Sequence, residues 1–328
     1  MHIGLVYDLR DDYRNLGWDE ELLAEFDQPE TIDALVQALL AGGHTVERIG
    51  HGRALVQALV AGRRWDLVFN IAEGVCGRGR EAQVPGLLEL FSIPYLFSDA
   101  TTLAISLDKG VCKRLVREAG LTTAPFVLLA QPSDLEQIDL SVPWFLKPVA
   151  EGSGKGCGAG SRVTTRQALM ARYQELRARF AQPVLAERYL PGREFTVAIV
   201  GNGARIRLAL VAEILWEEVA SAPGVYSFAT KEQSSTQVRY QLVDDPEARL
   251  ALEEGVAIYR LLGCRDAGRL DFRSDALSRP HFLEINPLAG LHPGLSGFPR
   301  MAQMAGLSYD QLIQAMVDGA VGRLAGLE

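Results

Sequence analysis

The chain has 328 residues, 48 % hydrophobic and 23 % charged, with a net charge of −8; these are the proportions of a soluble globular protein of two or three domains. The acidic balance argues against a nucleic-acid partner, which needs a basic face. The longest apolar runs fall far short of the ~18 residues of a membrane span, so no membrane partner is expected. Cys76, Cys112, Cys157 and Cys264 lie far apart with no CxxC, and no HExxH appears. That pattern predicts free thiols in a reducing cytoplasm rather than a disulfide framework or a zinc site. A strand pattern begins at His2, where a signal segment would show a charged and then an apolar run.

In chain order, His2–Asp8 reads as a strand and Leu9 to Gln28 as a polar, acid-rich stretch. An amphipathic helix follows, with Ile32, Leu35, Val36, Leu39 and Leu40 at helical spacing. Asp27 stands as its cap, Pro29 lies in its first turn and Gly42-Gly43 ends it. Thr45–Ile49 is a strand, Arg53 to Ala61 a helix and Asp66–Ala72 a nearly continuous apolar strand of parallel-sheet type. This alternation predicts a doubly wound parallel sheet with its ligand side beyond the strand carboxyl ends, at Asp8 and at Asn70 to Gly74. No GxGxxG follows the first strand, so a dinucleotide-binding domain is not supported.

Val84–Phe91 reads as a helix, Ile93–Phe97 as extended and Thr101–Ala119 as one long helix, on which Lys109 and Lys113 project together. The strand Val142–Pro148 ends in Lys147 and opens into EGSGKGCGAGS, Glu151 to Ser161, with five glycines. Such a backbone closes over phosphate oxygens without side-chain interference, and Lys147 and Lys155 favour that use. The spacing is not that of a Walker A loop, because a strand, Gly160–Thr164, follows instead of a helix. Thr165–Phe180 is helical; Val184–Glu187 and Glu194–Val200 are strands around a Pro191-Gly192 turn; Arg205–Trp216 is a long strand. Residues Glu217–Gln237, with Tyr226, Lys231 and Glu232, are polar and long enough to form a lid. Helix Pro246–Leu262 precedes two short strands, Arg269–Arg273 and His281–Asn286, and a last amphipathic helix carries Leu312, Ile313, Met316, Val317, Ala320 and Leu324.

The two short strands frame a site. Leu270 and Phe272 share one face, and Glu284 and Asn286, two residues apart, share a face of the second strand. Paired as a hairpin, the strands bring Asp271, Glu284 and Asn286 within reach of one another. Two carboxylates and an amide oxygen are hard donors of the kind magnesium takes when phosphate oxygens complete its shell.

An LDKxxxK helix, the KPxxEGS glycine loop, ERYLPGREFTVAIVG and GRLDF…FLEIN, in this order, make the chain resemble the ATP-grasp superfamily, and within it the D-alanine–D-alanine ligases, from about Ile71 onward. The resemblance implies an α/β (α+β ATP-grasp) fold of three parts. Residues 1–99 would form the N-terminal doubly wound parallel-sheet domain. Residues 100–182 would be a central subdomain with the phosphate loop, and residues 183–328 a C-terminal subdomain with lid and metal site, the two clasping ATP. It implies an ATP-dependent carboxylate–amine ligase that works through an acyl phosphate, on two amino acids or an amino acid and another small amine, with Mg²⁺ or Mn²⁺, as a possible homodimer. Carried over by motif, Lys109 and Lys147 would hold ATP phosphates, Ser153 and Gly154 would form the loop tip, and Glu187, Tyr189 and Leu190 would border adenine. Glu194 would take the ribose hydroxyls, Lys231 would approach the γ-phosphate, and Asp271, Glu284 and Asn286 would bind the metal. Arg269 would stabilise the tetrahedral intermediate or orient the acyl phosphate, and Gly290 would help form an oxyanion and carboxylate site.

The departures concern the substrates. In place of the family's GGxSxE segment, whose glutamate receives the first substrate's ammonium, the chain reads YDLRDDYRN, with Asp8, Asp11 and Asp12 as candidates for an amine. Glu232 replaces the lid tyrosine, and NPLAGLHPGLS replaces NTxPGMTxxS, with Ser296 only roughly aligned. The nucleotide machinery is therefore expected intact and both amino-acid pockets rebuilt. The rival readings are an ATP-grasp phosphotransferase that stops at phosphorylation and an ATP-binding regulator without turnover.

Overall fold

The computed structural model describes residues 1–14, 17–216 and 238–326. Three sheets organise them. The first is parallel, ordered β2 (Thr45–Gly50), β1 (His2–Val6), β3 (Leu67–Asn70), β4 (Tyr95–Leu96). Helices cover both of its faces: Ile3, Leu5 and Phe69 pack with Ile32 and Leu35 of helix α2 (Pro29–Ala41), while Val6 and Val68 pack with Leu55 and Leu59 of α3 (Gly52–Val60). The short helix α1 (Arg10–Arg14) follows the first strand. This is the expected doubly wound arrangement, and it leaves the strand carboxyl ends free to line a cleft.

The second sheet is antiparallel, ordered β5 (Phe126–Leu129), β8 (Val184–Arg188), β6 (Trp144–Pro148), β7 (Arg162–Val163), backed by α7 (Arg166–Phe180), whose N-terminus Thr165 caps by accepting from the Ala168 N–H at 3.2 Å. Strand β8 lies beyond residue 182, yet it pairs between β5 and β6; its backbone is hydrogen-bonded into the central sheet rather than the C-terminal one. The third sheet, also antiparallel, runs β11 (Val238–Leu242), β10 (Arg205–Trp216), β9 (Glu194–Asn202), β12 (Ala267–Ser274), β13 (Pro280–Asn286). Its core holds Phe195, Val197, Phe272 and Phe282 against Ile258 and Tyr259 of α8 (Pro246–Leu261). On the opposite side Ala198 and Val200 join Ile3, Leu312 and Met316 in one cluster, so the last helices, α9 (Gly297–Met304) and α10 (Tyr309–Leu324), fasten the first sheet to the third.

Several expected details differ. The helix expected over residues 101–119 is two, α5 (Ala100–Leu107) and α6 (Lys109–Glu118), because Asp108 adopts an extended ψ of 91° and caps the second by accepting from the Val111 N–H. The break turns Lys109, Cys112, Lys113 and Val116 inward and leaves Leu115 exposed. Asp27 does not cap α2: Gln28 holds that position without a side-chain hydrogen bond. Leu40 and Leu324 stand 47 % and 48 % exposed, at the margins of their helices' buried stripes. Helix α4 (Gln83–Leu90) and the other expected strands fall within a residue or two of their expected spans, whereas β5 and β11 answer to no strand expected from the sequence. The expected lid, Glu217–Gln237, lies outside the described residues. No helix among the described residues is long and apolar enough to cross a membrane. The cysteines form no disulfide; Cys112 and Cys264 are buried, and Cys76 is exposed.

Candidate active site

A cleft of about 360 Å³ opens where the three sheets meet. Its floor is the β12–β13 hairpin. Asp271 and Glu284 are direct cross-strand partners, and Arg269 pairs with Asn286. A β-bulge lies between the partners of Asp271 and Phe272, so Leu283 is an extra residue on β13. This lets Phe282 and Ile285, three apart, both enter the core while Glu284 and Asn286 face the cleft. Asp271 accepts from Thr196 Oγ1 at 2.8 Å, from Arg269 Nη2 at 2.8 Å and from Asn286 Nδ2 at 3.4 Å.

Next to this floor, cations and anions alternate. Lys113 Nζ lies 2.5 Å from Glu187 Oε1, and Lys147 Nζ lies 2.8 Å from Glu187 Oε2. Lys147 and Lys109 reach Glu284 at 3.9 and 3.4 Å, and Lys109 also donates to the Glu151 carbonyl at 2.6 Å. Burial disfavours charge on Glu284, but Lys109, Lys147 and Arg269 outweigh it and hold the carboxyl low, at about 2. Burial likewise opposes ionisation of Glu187, and Lys113 and Lys147 reverse it. Lys113 is 0 % exposed and donates further to Thr123 Oγ1 and to the Phe282 carbonyl. Burial lowers its pKa, yet a carboxylate at 2.5 Å that is itself held low keeps the pair ionic. Lys113 is thus a buried strut of the charge ladder rather than part of a solvated lysine face.

The glycine loop borders the same cleft, with Ser153 and Gly154 both in left-handed backbone, φ 54° and 69°. Successive N–H groups in such a turn form an anion-binding concavity. The acid-rich stretch before α2 grips the loop from the first domain. Glu25 accepts from the Gly152 N–H at 2.5 Å and from Lys155 Nζ at 2.9 Å, and Glu21 accepts from the Gly156 N–H at 2.7 Å. Arg80 donates to both oxygens of Glu25, at 2.9 and 3.0 Å. Burial works against ionisation of Glu25; Arg80 and Lys155 hold it at about 2.

On the far side Tyr189 and Leu190 line the cleft, and the guanidinium groups of Arg162 and Arg273 lie 4.8 and 5.3 Å from the Tyr189 ring centroid. Glu194 pairs with Arg273 at 3.3 Å. Gly290 lies beside Ser296; a side chain there would meet the Ser296 hydroxyl at 2.9 Å, so the close approach requires glycine. The nucleotide, metal and oxyanion residues expected from sequence and lying in the described chain line this one cleft: Lys109, Lys147, Ser153, Gly154, Glu187, Tyr189, Leu190, Glu194, Arg269, Asp271, Glu284, Asn286 and Gly290. Lys231 lies outside the described residues.

Asp8, Asp11 and Asp12 do not reach it. Asp8 is buried, accepting from the Tyr13 hydroxyl at 2.5 Å and the Gly74 N–H at 3.0 Å; Asp11 pairs with Arg14 on the surface, and Asp12 is exposed. The first domain instead contributes Arg10, Glu25, Gln28, Glu73 and Glu81. Glu73 was within reach of sequence reasoning, since it sits in the Asn70–Gly74 stretch at a strand's carboxyl end; nothing in the spacing pointed to Glu25 or Glu81.

Glu284, Asp271 and Asn286 fit a hard divalent cation: oxygen donors on facing strands, with Glu284 kept ionised. Among the described residues no group of three His, Cys, Asp or Glu forms a metal cluster, as expected where the third side chain is an amide and phosphate oxygens complete the shell.

A cleft of this kind, between two α+β parts with a glycine loop over a lysine–carboxylate floor, belongs to the ATP-grasp class of ligases. The family model for the D-alanine–D-alanine ligase C-terminus matches residues 115–318. D-alanine–D-alanine ligases from Bordetella pertussis and Gluconobacter oxydans are 35 % and 31 % identical, over 86 % and 89 % of this chain and 86 % and 93 % of their own. Among solved structures, D-alanine–D-alanine ligase from Bacillus anthracis complexed with ATP superposes with a TM-score of 0.75 at 19 % identity, covering all of both chains. VanG D-Ala:D-Ser ligase from Enterococcus faecalis gives 0.74 at 19 % identity, over 97 % of this chain and 99 % of that one. The chain belongs to the D-alanine–D-alanine ligase family, and its class of reaction is ATP-dependent carbon–nitrogen ligation.

Proposed function

We propose that the protein phosphorylates the carboxylate of one small amino-acid-like substrate with ATP and joins it to the amine of a second. The observation that carries the reading is the convergence of Lys109, Lys147, Arg269, Asp271, Glu284 and Asn286 beneath the glycine loop in one cleft. A carboxylate is a poor electrophile at neutral pH, and an acyl phosphate is a good one; the protein's task is to neutralise phosphate charge and align the reactants. In this reading Lys109 and Lys147 hold the phosphates, relaxing their present hold on Glu284. The N–H groups around Ser153 and Gly154 cover the phosphates from above. Glu187, Tyr189 and Leu190 border the adenine, and Glu194 takes the ribose hydroxyls. Asp271, Glu284 and Asn286 hold Mg²⁺, or Mn²⁺, which supplies charge neutralisation at the transferred phosphoryl group. Arg269, at present on Asp271, orients the acyl phosphate or stabilises the tetrahedral intermediate, and Gly290 leaves its backbone open to an oxyanion or carboxylate. Lys231 approaches the γ-phosphate.

Residues 1–99, 100–182 and 183–328 serve as the three working parts, although β8 joins the central sheet across the second boundary. A cytoplasmic location and a homodimer go with the reading, and sedimentation tests the second. The deciding experiment is ADP and phosphate release with ATP and Mg²⁺ across single and paired amino acids and small amines. Release that needs two substrates together supports ligation. Release with one substrate and a stable phosphorylated product indicates a phosphotransferase, and ATP binding without turnover a regulator; either would overturn the reading.

A further inference from the structure

The first domain's wall of the cleft carries two carboxylates that nothing in the nucleotide machinery uses. Glu73 follows β3, in a backbone held by the Gly74 N–H on Asp8; Gly74 has φ +73°, and a Cβ there would meet the Arg80 carbonyl at 2.5 Å. Glu81 sits one residue after Arg80 in a short 3₁₀ turn, is 9 % exposed, and faces the cleft with Glu73. Neither forms a hydrogen bond or ion pair with any described residue.

The neighbouring cations are engaged. Arg80 donates to both oxygens of Glu25 and to the Ala150 carbonyl, at 2.8 Å. Lys155 holds Glu25 and Glu151, Lys109 holds Glu284 and the Glu151 carbonyl, and Arg10 donates to the carbonyls of Phe26 and Ala24. Burial and the repulsion of Glu81 push the Glu73 carboxyl up; burial pushes Glu81 up to about 7, with Arg80, Lys109 and Lys155 opposing it only in part. Buried carboxylates are ordinarily paired, because desolvating an isolated charge is costly. Glu81, buried, and Glu73, half-buried, remain unpaired among the described residues while lining a substrate cleft, and so form a receptor for positive charge. The α-ammonium of an amino acid matches one of them; a second cation is needed for the other.

We infer that one of the two substrates carries a positive charge on its side chain, and that Glu73 and Glu81 receive that substrate's cationic groups. Its class is an amino acid whose side chain ends in an ammonium or guanidinium. The inference rests on the ligase reading for its chemistry but makes a binding claim that stands apart from turnover. The probes are 2,4-diaminobutyrate, ornithine, lysine and arginine against norleucine and alanine, each as both enantiomers. Steady-state ADP release and, without turnover, the ligand-induced rise in melting temperature are both read.

The expected result is at least a tenfold preference for a dibasic amino acid over norleucine, in kcat/KM or in apparent affinity, and an about tenfold smaller preference in Glu81→Gln. Glu73→Gln repeats the measurement if Glu81→Gln does not fold, and the panel on the unaltered protein is decisive in either case. Equal or better use of norleucine or alanine would overturn the inference, as would a preference for acidic side chains, which would mean that the two acids act protonated, as donors. Phosphate release with neutral pairs alone would keep the ligase reading and remove this one. Dibasic selectivity in melting with no phosphate from any pair would do the reverse.

Discussion

Carboxylates stand on both walls of the cleft; the nucleotide wall matches Glu187 and Glu284 with cations, whereas on the first-domain wall Glu25 is matched, by Arg80 and Lys155, and Glu73 and Glu81 are not. On the nucleotide side Glu187 and Glu284 alternate with Lys113, Lys147 and Lys109 at 2.5 to 3.9 Å, and both acids are held below the usual carboxylate range. On the first-domain side Glu73 and Glu81 have no such partner among the described residues, and both are pushed above it. The same side chain at similar depth takes opposite character according to what faces it. The matched wall is already organised for its ligand, with lysines in place and a metal-binding acid ionised. The unmatched wall is complete only when a ligand brings the missing charge.

The sharpest break of the matched wall is Glu284→Gln. It keeps the shape and removes the charge that would hold the metal, so turnover should fall about 10²–10³-fold, a loss typical of removing one electrostatic stabiliser, with melting little changed. An unaltered rate of ADP release would show that the metal floor has been misassigned. Glu187→Ala should act on stability: it strands Lys113, which is fully buried, and breaking a buried ion pair from one side costs about 3–5 kcal/mol. Urea denaturation that places the loss below about 1 kcal/mol would mean that the ladder is not ionic.

Acid and neutral pH should separate the matched carboxylates from the unmatched ones. Glu25, held at about 2 against an ordinary 4.5, contributes stability that is complete above pH 4.5 and lost as pH falls toward 2. Glu81, raised to about 7, keeps its proton in the folded state while the unfolded chain has released it, so stability should decline as pH rises from 4.5 to 7. Urea midpoints across pH 3–8 should therefore flatten at the acid end in Glu25→Gln and on the neutral side in Glu81→Gln, with a residual neutral slope from Glu73. The smallest effect is a control distant from both walls: Thr165→Ala removes the cap of α7 and should cost about 1 kcal/mol without altering substrate preference.

Much of the matched wall was legible because its motifs are local. Lys147 precedes its glycine loop directly, and Asp271, Glu284 and Asn286 are placed by strand alternation and one hairpin. The bulge at Leu283 was not visible in the pattern, which shows only three apolar residues in His281–Asn286; pairing with β12 decides which of them turns inward. The burial of Lys113 does not show in the sequence, because Thr101–Ala119 has a continuous helical pattern. Only the extended turn at Asp108 rotates the second half so that the lysine enters the core. The amine candidates failed for a similar reason. Asp8, Asp11 and Asp12 are acids near a strand's carboxyl end, but the chain between β1 and α2 folds back so that Glu21 and Glu25 grip the glycine loop.

By itself, the order of residues determined the succession of strands and helices, the parallel character of the first sheet, and the kinds of side chain offered to a nucleotide and a metal. These follow from period, turn chemistry and near-neighbour spacing, which act within about twenty residues. Which carboxylates are compensated was decided only when distant segments met. Glu25 draws Arg80 and Lys155 to itself across 55 and 130 positions of chain, and that leaves Glu73 and Glu81 facing the cleft with no ion-pair partner among the described residues. Charge pairing depends on distance in space, so no reading of linear spacing could have assigned it.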